Sequence, residues 1–332
     1  KLNVSYEGNN TVANDEGDGI SVVDGANEGA ELNISGTGTL TATAEGNALY
    51  SEGDMTISGT GTVTAKGAGA EGILADGDIT ITGGGTVDAR SEQDCGIVAE
   101  ETLTVSNSTL TAQGFGSGIY AFDGLTIDAA TVRAYAYPAR EDSPTAIFTD
   151  EGDITIKNGS FVHAYAEGEN ASGIYSYNYD TGSPGGRIFI SDSTVEAIAH
   201  YINHDGGNQP LPPIGNGDIV VVDPDVNART YGIFALTEDG LTPATISITR
   251  SRVTAEGDTA AILAVVNSAD GSIAGTINIV DSIIETPNGG RICDVRFVDT
   301  EPADAPYQRG QTIGTASDVI TDLSLIHISE PT

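Results

Sequence analysis

One phrase of alternating residues returns along most of this chain, and it restricts the possible folds more than any other feature. Residues 71–89 read EGILADGDITITGGGTVDA, three short runs separated by Asp76-Gly77-Asp78 and Gly83-Gly84-Gly85. Aliphatic and polar residues alternate with period two inside each run, and Gly and Asp break the runs apart. That pattern predicts strand, turn, strand, turn, strand, because each run is too short for a helix. The same phrase stands one repeat earlier in Ala48-Leu49-Tyr50, Met55-Thr56-Ile57 and Thr62-Val63-Thr64-Ala65. It stands one repeat later in Gly96-Ile97-Val98-Ala99, Leu103-Thr104-Val105 and Thr109-Leu110-Thr111-Ala112.

With the aliphatic residue of the first strand as marker, repeats fall at Ile20, Leu49, Ile73, Ile97, Ile119, Ile147, Ile174, Ile233 and Ile262. The steps are 22 to 29 residues, except for one of 59 after Ile174. Second strands fall at Leu32–Ile34, Met55–Ile57, Ile79–Ile81 and their equivalents, and third strands centre on Leu40, Val63, Val87 and theirs. Three short strands per repeat predict an all-β chain, a single-stranded parallel β-helix of nine or more triangular coils. Inward residues would be the Ile and Ala of the first strand, both aliphatics of the second, and the Val and Ala of the third. Stacked in ladders, each buried Ile or Val contributes roughly 1.5–3 kcal/mol. A leucine-rich horseshoe would need a repeated Leu and Asn scaffold, and a propeller needs four strands in about 40 residues.

The domain expectation follows. Residues 1–290 form the β-helix, with 201–229, rich in Pro and Gly, as a loop excursion from one corner. Residues 291–322 form a degraded last coil or a junction. Leu2-Asn3-Val4 reads as a second strand, so the chain is expected to begin mid-coil. The last ten residues, 323–332, resemble a translated sequencing adapter.

Composition excludes several partners. The formal net charge of −35, from 48 acids against 13 bases, repels nucleic acid and anionic membranes. No apolar run approaches the ~18–20 residues of a spanning helix. Cys95 and Cys293 fall about six repeats apart, roughly 29 Å at ~4.8 Å per layer, so they are not expected to pair.

Four constellations carry chemistry. The outward position of the first strand reads Tyr50, Leu74, Val98, Tyr120, Phe148, Tyr175, Phe234 and Leu263 down the stack. Such a stripe is either a platform for sugar rings or a cross-strand ladder that stiffens the sheet. A second outward set, Tyr135, Tyr165 and Ile198 with Tyr137 and His200 nearby, follows the third strand beside the excursion. It is either a binding surface or a seat for the loop. The corner between first and second strands is acidic in successive coils, with Asp54, Asp76, Asp78, Glu100, Asp123 and Asp153. Stacked carboxylates repel unless screened, and hard oxygen ligands suit Ca²⁺; Asp-Gly turns on a solvated surface give the same pattern. Asp223-Pro224-Asp225-Val226-Asn227 mimics the start of a calcium loop without its Gly or distal Glu. Finally, Thr39/Thr41, Thr62/Thr64 and Thr109/Thr111 flank third-strand aliphatics, as Thr does on a solvated strand face. Arg133, Arg187, His163, His200 and His204 show no catalytic spacing in sequence, so no catalytic residue is assigned.

The repeats EGILADGDITITGGGTVDA and ALYSEGDMTISGTGTVTA resemble those of bacterial surface proteins termed carbohydrate-binding-domain-containing. The resemblance covers most of 20–286. It implies a pectate-lyase-type right-handed β-helix turned to binding cellulose or acidic polysaccharide with calcium. Where that family often has Asp-Asp-Gly-Ile, this chain has Glu71, Cys95 or Ser117 before Gly-Ile, and no ligand residue carries over. The expected function is extracellular polysaccharide binding, as a monomeric repeat unit of a larger secreted or cell-wall-associated protein. The alternatives are a polysaccharide lyase or hydrolase on the same scaffold, and a structural or adhesive stalk.

Overall fold

The computed structural model describes residues 1–24, 29–137, 143–168, 170–178, 186–200, 230–237, 242–257, 260–267, 275–286, 292–297 and 320–321. Among them there is no helix. The strands form three parallel sheets, and each sheet takes every third strand of the chain. Consecutive strands therefore never pair, and each coil contributes one strand to each sheet. This is the right-handed parallel β-helix, the hand that parallel crossovers take.

Register follows the ladders expected from the repeat. Ile73, Ile97, Ile119, Ile147 and Ile174 are Cα partners in sequence. Ile174 then pairs with Ile233 despite the long step between them, so the excursion leaves the stack unbroken. The inward side chains of all three sheets merge into one core, in which Ile79, Val87, Ala89, Ile97 and Ile119 are buried. Slippage by one residue would turn every aliphatic outward, so burial pins the register. Leu2–Tyr6 pairs with the second strand Glu31–Gly36, as its sequence suggests. Ile292–Phe297 adds a further first strand, on Ala260–Asn267. The excursion 201–229, with its candidate calcium loop and His204, and the adapter-like 323–332 lie outside the described residues.

The corner between second and third strands is sharp. Gly59 (φ 102°) and Gly83 (φ 98°) take it in early coils; Asn107, Asn158, Asp192, Arg250 and Asp281 take it later, with φ between 46° and 59°. Left-handed backbone suits Gly, Asn and Asp. Ser193, Ser251 and Ser282 follow that corner and are buried. Ser251 Oγ accepts from Ser193 N at 3.1 Å and donates to Thr249 O at 2.8 Å, which satisfies backbone groups that the turn leaves unpaired. Cys95 carries a free thiol. Burial, then the charges of Asp94 and Glu71, push its pKa up to about 12.

Candidate functional site

The first-strand stripe forms as one register column, but its rings face each other. Tyr120 and Phe148 stack at 5.4 Å, Phe148 and Tyr175 at 5.2 Å, and Tyr175 and Phe234 at 4.7 Å, with planes within 28°. Rings one layer apart, each nearly parallel to the next, spend their faces on one another and turn their edges outward. Sugar rings dock against aromatic faces, so this column offers a ligand little beyond its rim. Val98 and Leu263, expected outside, are buried. Leu263 joins a small external cluster with Tyr231 and Val265, against which Phe234 packs. Tyr50 stands apart from the stack. Its hydroxyl donates to Asp76 Oδ2 at 2.9 Å. Burial first, then that bond, push its pKa up to about 12.

The third-strand sheet presents the other arrangement. Strands Thr131–Tyr137, Phe161–Glu167 and Thr194–His200 lie side by side. Because side chains alternate, Arg133, Tyr135, Phe161, His163, Tyr165, Glu196 and Ile198 all stand on the outer face. Tyr135 and Tyr165 are register neighbours, as are Arg133, His163 and Glu196. The rings do not form a column here. Tyr135 meets His163 at 5.7 Å with planes tilted 55°, and Tyr165 meets His200 edge-on at 5.5 Å. The Arg133 guanidinium lies 5.7 Å from the Phe161 ring centre. The Tyr165 hydroxyl donates to Glu167; burial, then that bond and its charge, raise the Tyr165 pKa.

His163 Nδ1 lies 2.9 Å from Glu196 Oε2. A carboxylate can only accept, so Nδ1 carries the hydrogen and the neutral ring keeps its lone pair on Nε2. Among the described residues Arg133 pairs with no carboxylate, although this is a chain of net charge −35. Tyr135 and Tyr165 were expected at this surface. The pairing of His163 with Glu196 was not, because 33 residues separate them and only the stacking of coils brings them together.

The acidic corner is sorted by the fold. Asp54, Asp78 and Glu101 bring carboxylate oxygens within 4.8 Å of one another. Asp54 Oδ1 accepts from Asp78 N at 3.1 Å, and Asp78 Oδ1 from Thr102 N at 3.0 Å, so one oxygen of each is held and the other is left for a ligand. The Glu101 pKa is raised by loss of water and then by the charges of Asp78, Asp54 and Asp123. Asp153 is placed elsewhere, in a two-point pair with Arg187 at 2.9 and 2.6 Å, and Asp76 receives Tyr50. Glu100 and Asp123 lie outside the three-carboxylate group, whose third member is Glu101.

A family described as carbohydrate-binding domain-containing protein matches residues 18–208. That span is more than half of the chain and includes the three strands of the third-strand patch. The chain belongs to this family. No curated protein and no solved structure matches it.

Proposed function

We propose that the chain binds extracellular polysaccharide on the outer face of the third-strand sheet, centred on Tyr135, Tyr165 and His163. The observation that carries this reading is the contrast between the two aromatic sets. In the first-strand column the faces are paired with each other, whereas Tyr135 and Tyr165 are register neighbours that do not stack. A flat sheet with unstacked rings between hydrogen-bonding groups can hold a sugar ring by its apolar face and its hydroxyls at once. The family supports carbohydrate as the ligand.

Calcium enters the proposal at Asp54, Asp78 and Glu101. Their free oxygens are hard donors close enough for one ion, and a cation there would relieve the mutual repulsion of the three carboxylates. Water would complete the coordination. The aromatic column of the first-strand sheet favours a second, mechanical role for that face, stiffening the shaft across the long step. A glycan array probed with and without chelator, repeated with Tyr135→Ala, tests the whole reading. Signals lost in the variant support the patch, and a chain that retains no glycan under either condition sinks it.

A further inference from the structure

The third-strand patch holds the parts of an elimination site, and this inference rests on the binding reading above. Arg133, His163 and Glu196 stand in one register column across three layers, with Tyr135 diagonal to His163. Glu196 fixes the imidazole through Nδ1 and leaves Nε2 as a base. Among the described residues, neither Nε2 nor the Tyr135 hydroxyl has a hydrogen-bond partner. Arg133, which pairs with no carboxylate among the described residues, is a cation placed beside a base and an acid.

We propose that this patch cleaves uronic-acid polysaccharides by β-elimination. Arg133 binds the uronate carboxylate and draws charge from it, which acidifies the hydrogen on C5. His163 Nε2 takes that proton. The C5–H electron pair forms the C4=C5 double bond, the C4–O4 bond breaks, and O4 leaves with the phenolic proton of Tyr135. The imidazolium then returns its proton to the phenolate through solvent. One chain becomes two, one of them ending in an unsaturated uronate, and neither water nor an oxidant is consumed.

The geometry also restricts the substrate. Base and acid project from the same sheet face, and at 5.7 Å between ring centres they leave no room for a sugar ring between them. Both must reach the sugar from one side, so the elimination is syn. Uronates of manno or gluco configuration carry H5 and O4 on the same side of the ring; galacturonate carries them on opposite sides. β-1,4-linked mannuronan or glucuronan is therefore the substrate class, and galacturonan is not.

The test offers the full chain polymannuronate, polyglucuronate and polygalacturonate, and follows the ultraviolet absorbance of the conjugated double bond, with binding measured separately. Product is expected from the first two polymers. Tyr135→Phe, which keeps the ring and fold, and His163→Ala should each lower kcat by about 10²-fold or more, well beyond any change in affinity. Glu196 is a positioning residue. Glu196→Gln, which keeps the shape but weakens the hold on Nδ1, should lower kcat with KM little changed, and Glu196→Asp should recover part of the loss. Retention of uronans with no unsaturated product overturns the elimination and leaves the binding reading standing. Product formation indifferent to Tyr135→Phe and His163→Ala, or equally fast on galacturonan, overturns the assignment. A chain that binds neither uronans nor neutral glycans overturns the binding reading as well.

Discussion

Tyr175 and Phe234 stack at 4.7 Å with their planes 14° apart, although 59 residues separate them. The long step after Ile174 thus leaves the coil geometry intact, and the ring column runs through it. Each inner ring of the column has two partners. Stacked aromatic pairs contribute about 0.5–1.5 kcal/mol beyond their area.

Tyr175→Ala removes the ring that links Phe148 to Phe234 and should destabilise the helix by about 2 kcal/mol through two lost stacks. Urea denaturation gives the value. Glycan affinity should stay within twofold of wild type; a large loss of affinity would move the ligand onto this face.

Tyr135→Ala and Tyr165→Ala should each weaken glycan binding about tenfold or more, since an aromatic anchor contributes of the order of 1–3 kcal/mol at a recognition surface. Both side chains stand on the outer face, so the thermal midpoint should move little. Calorimetric titration beside a melting curve separates the two effects.

Gly59→Ala and Gly116→Ala make a matched pair. Both glycines have positive φ, 102° and 82°. A Cβ on Gly59 would overlap the Gly36 carbonyl oxygen one layer away, whereas a Cβ on Gly116 meets nothing within 4 Å. The Gly116 variant should cost about 1–2 kcal/mol for left-handed backbone alone, and the Gly59 variant clearly more. Equal costs would show that the corner relaxes freely.

Glu71 is a half-buried acid whose pKa is raised, by burial first and then by the charges of Asp94, Glu100 and Asp18. A carboxyl with a raised folded-state pKa binds more protons folded than unfolded, so its contribution to stability falls as pH rises from the ordinary carboxylate range upward. Glu71→Gln should therefore stabilise the protein at neutral pH and have no such benefit in acid. Melting curves across pH will show the difference close as pH falls.

Millimolar Ca²⁺ should raise the thermal midpoint of the wild type by mass action on the folded state. Glu101→Gln should reduce that rise, while Glu100→Gln, outside the three-carboxylate group, should not. A shift that both variants share would locate the ion elsewhere.

The repeat made the fold legible because a β-helix is nearly one-dimensional: each coil's contacts are set by residues a fixed step away. Ile73, Ile97 and Ile119 could be aligned before any coordinates, and so could Tyr120 with Phe148. Less of the site was legible. The sequence placed Asp54 and Asp78 at one acidic corner but singled out Glu100 and not its neighbour Glu101, because the outward turn of a corner side chain is not periodic. The buried Ser193, Ser251 and Ser282 escaped notice although each follows a left-handed Asp or Arg in sequence, since serine at a turn is read as solvent-facing.

By itself, the amino-acid order determined the strand period, the inward faces and the column to which each outward side chain belongs. Those follow from alternation and from the cost of exposing Ile and Val. Tertiary structure alone decided whether neighbouring rings turn their faces to each other, as Tyr175 and Phe234 do, or tilt apart, as Tyr135 and His163 do. It alone joined His163 to Glu196. Ring orientation and charge pairing depend on side-chain torsions and on what the adjacent layer offers, and neither is encoded in a repeat length.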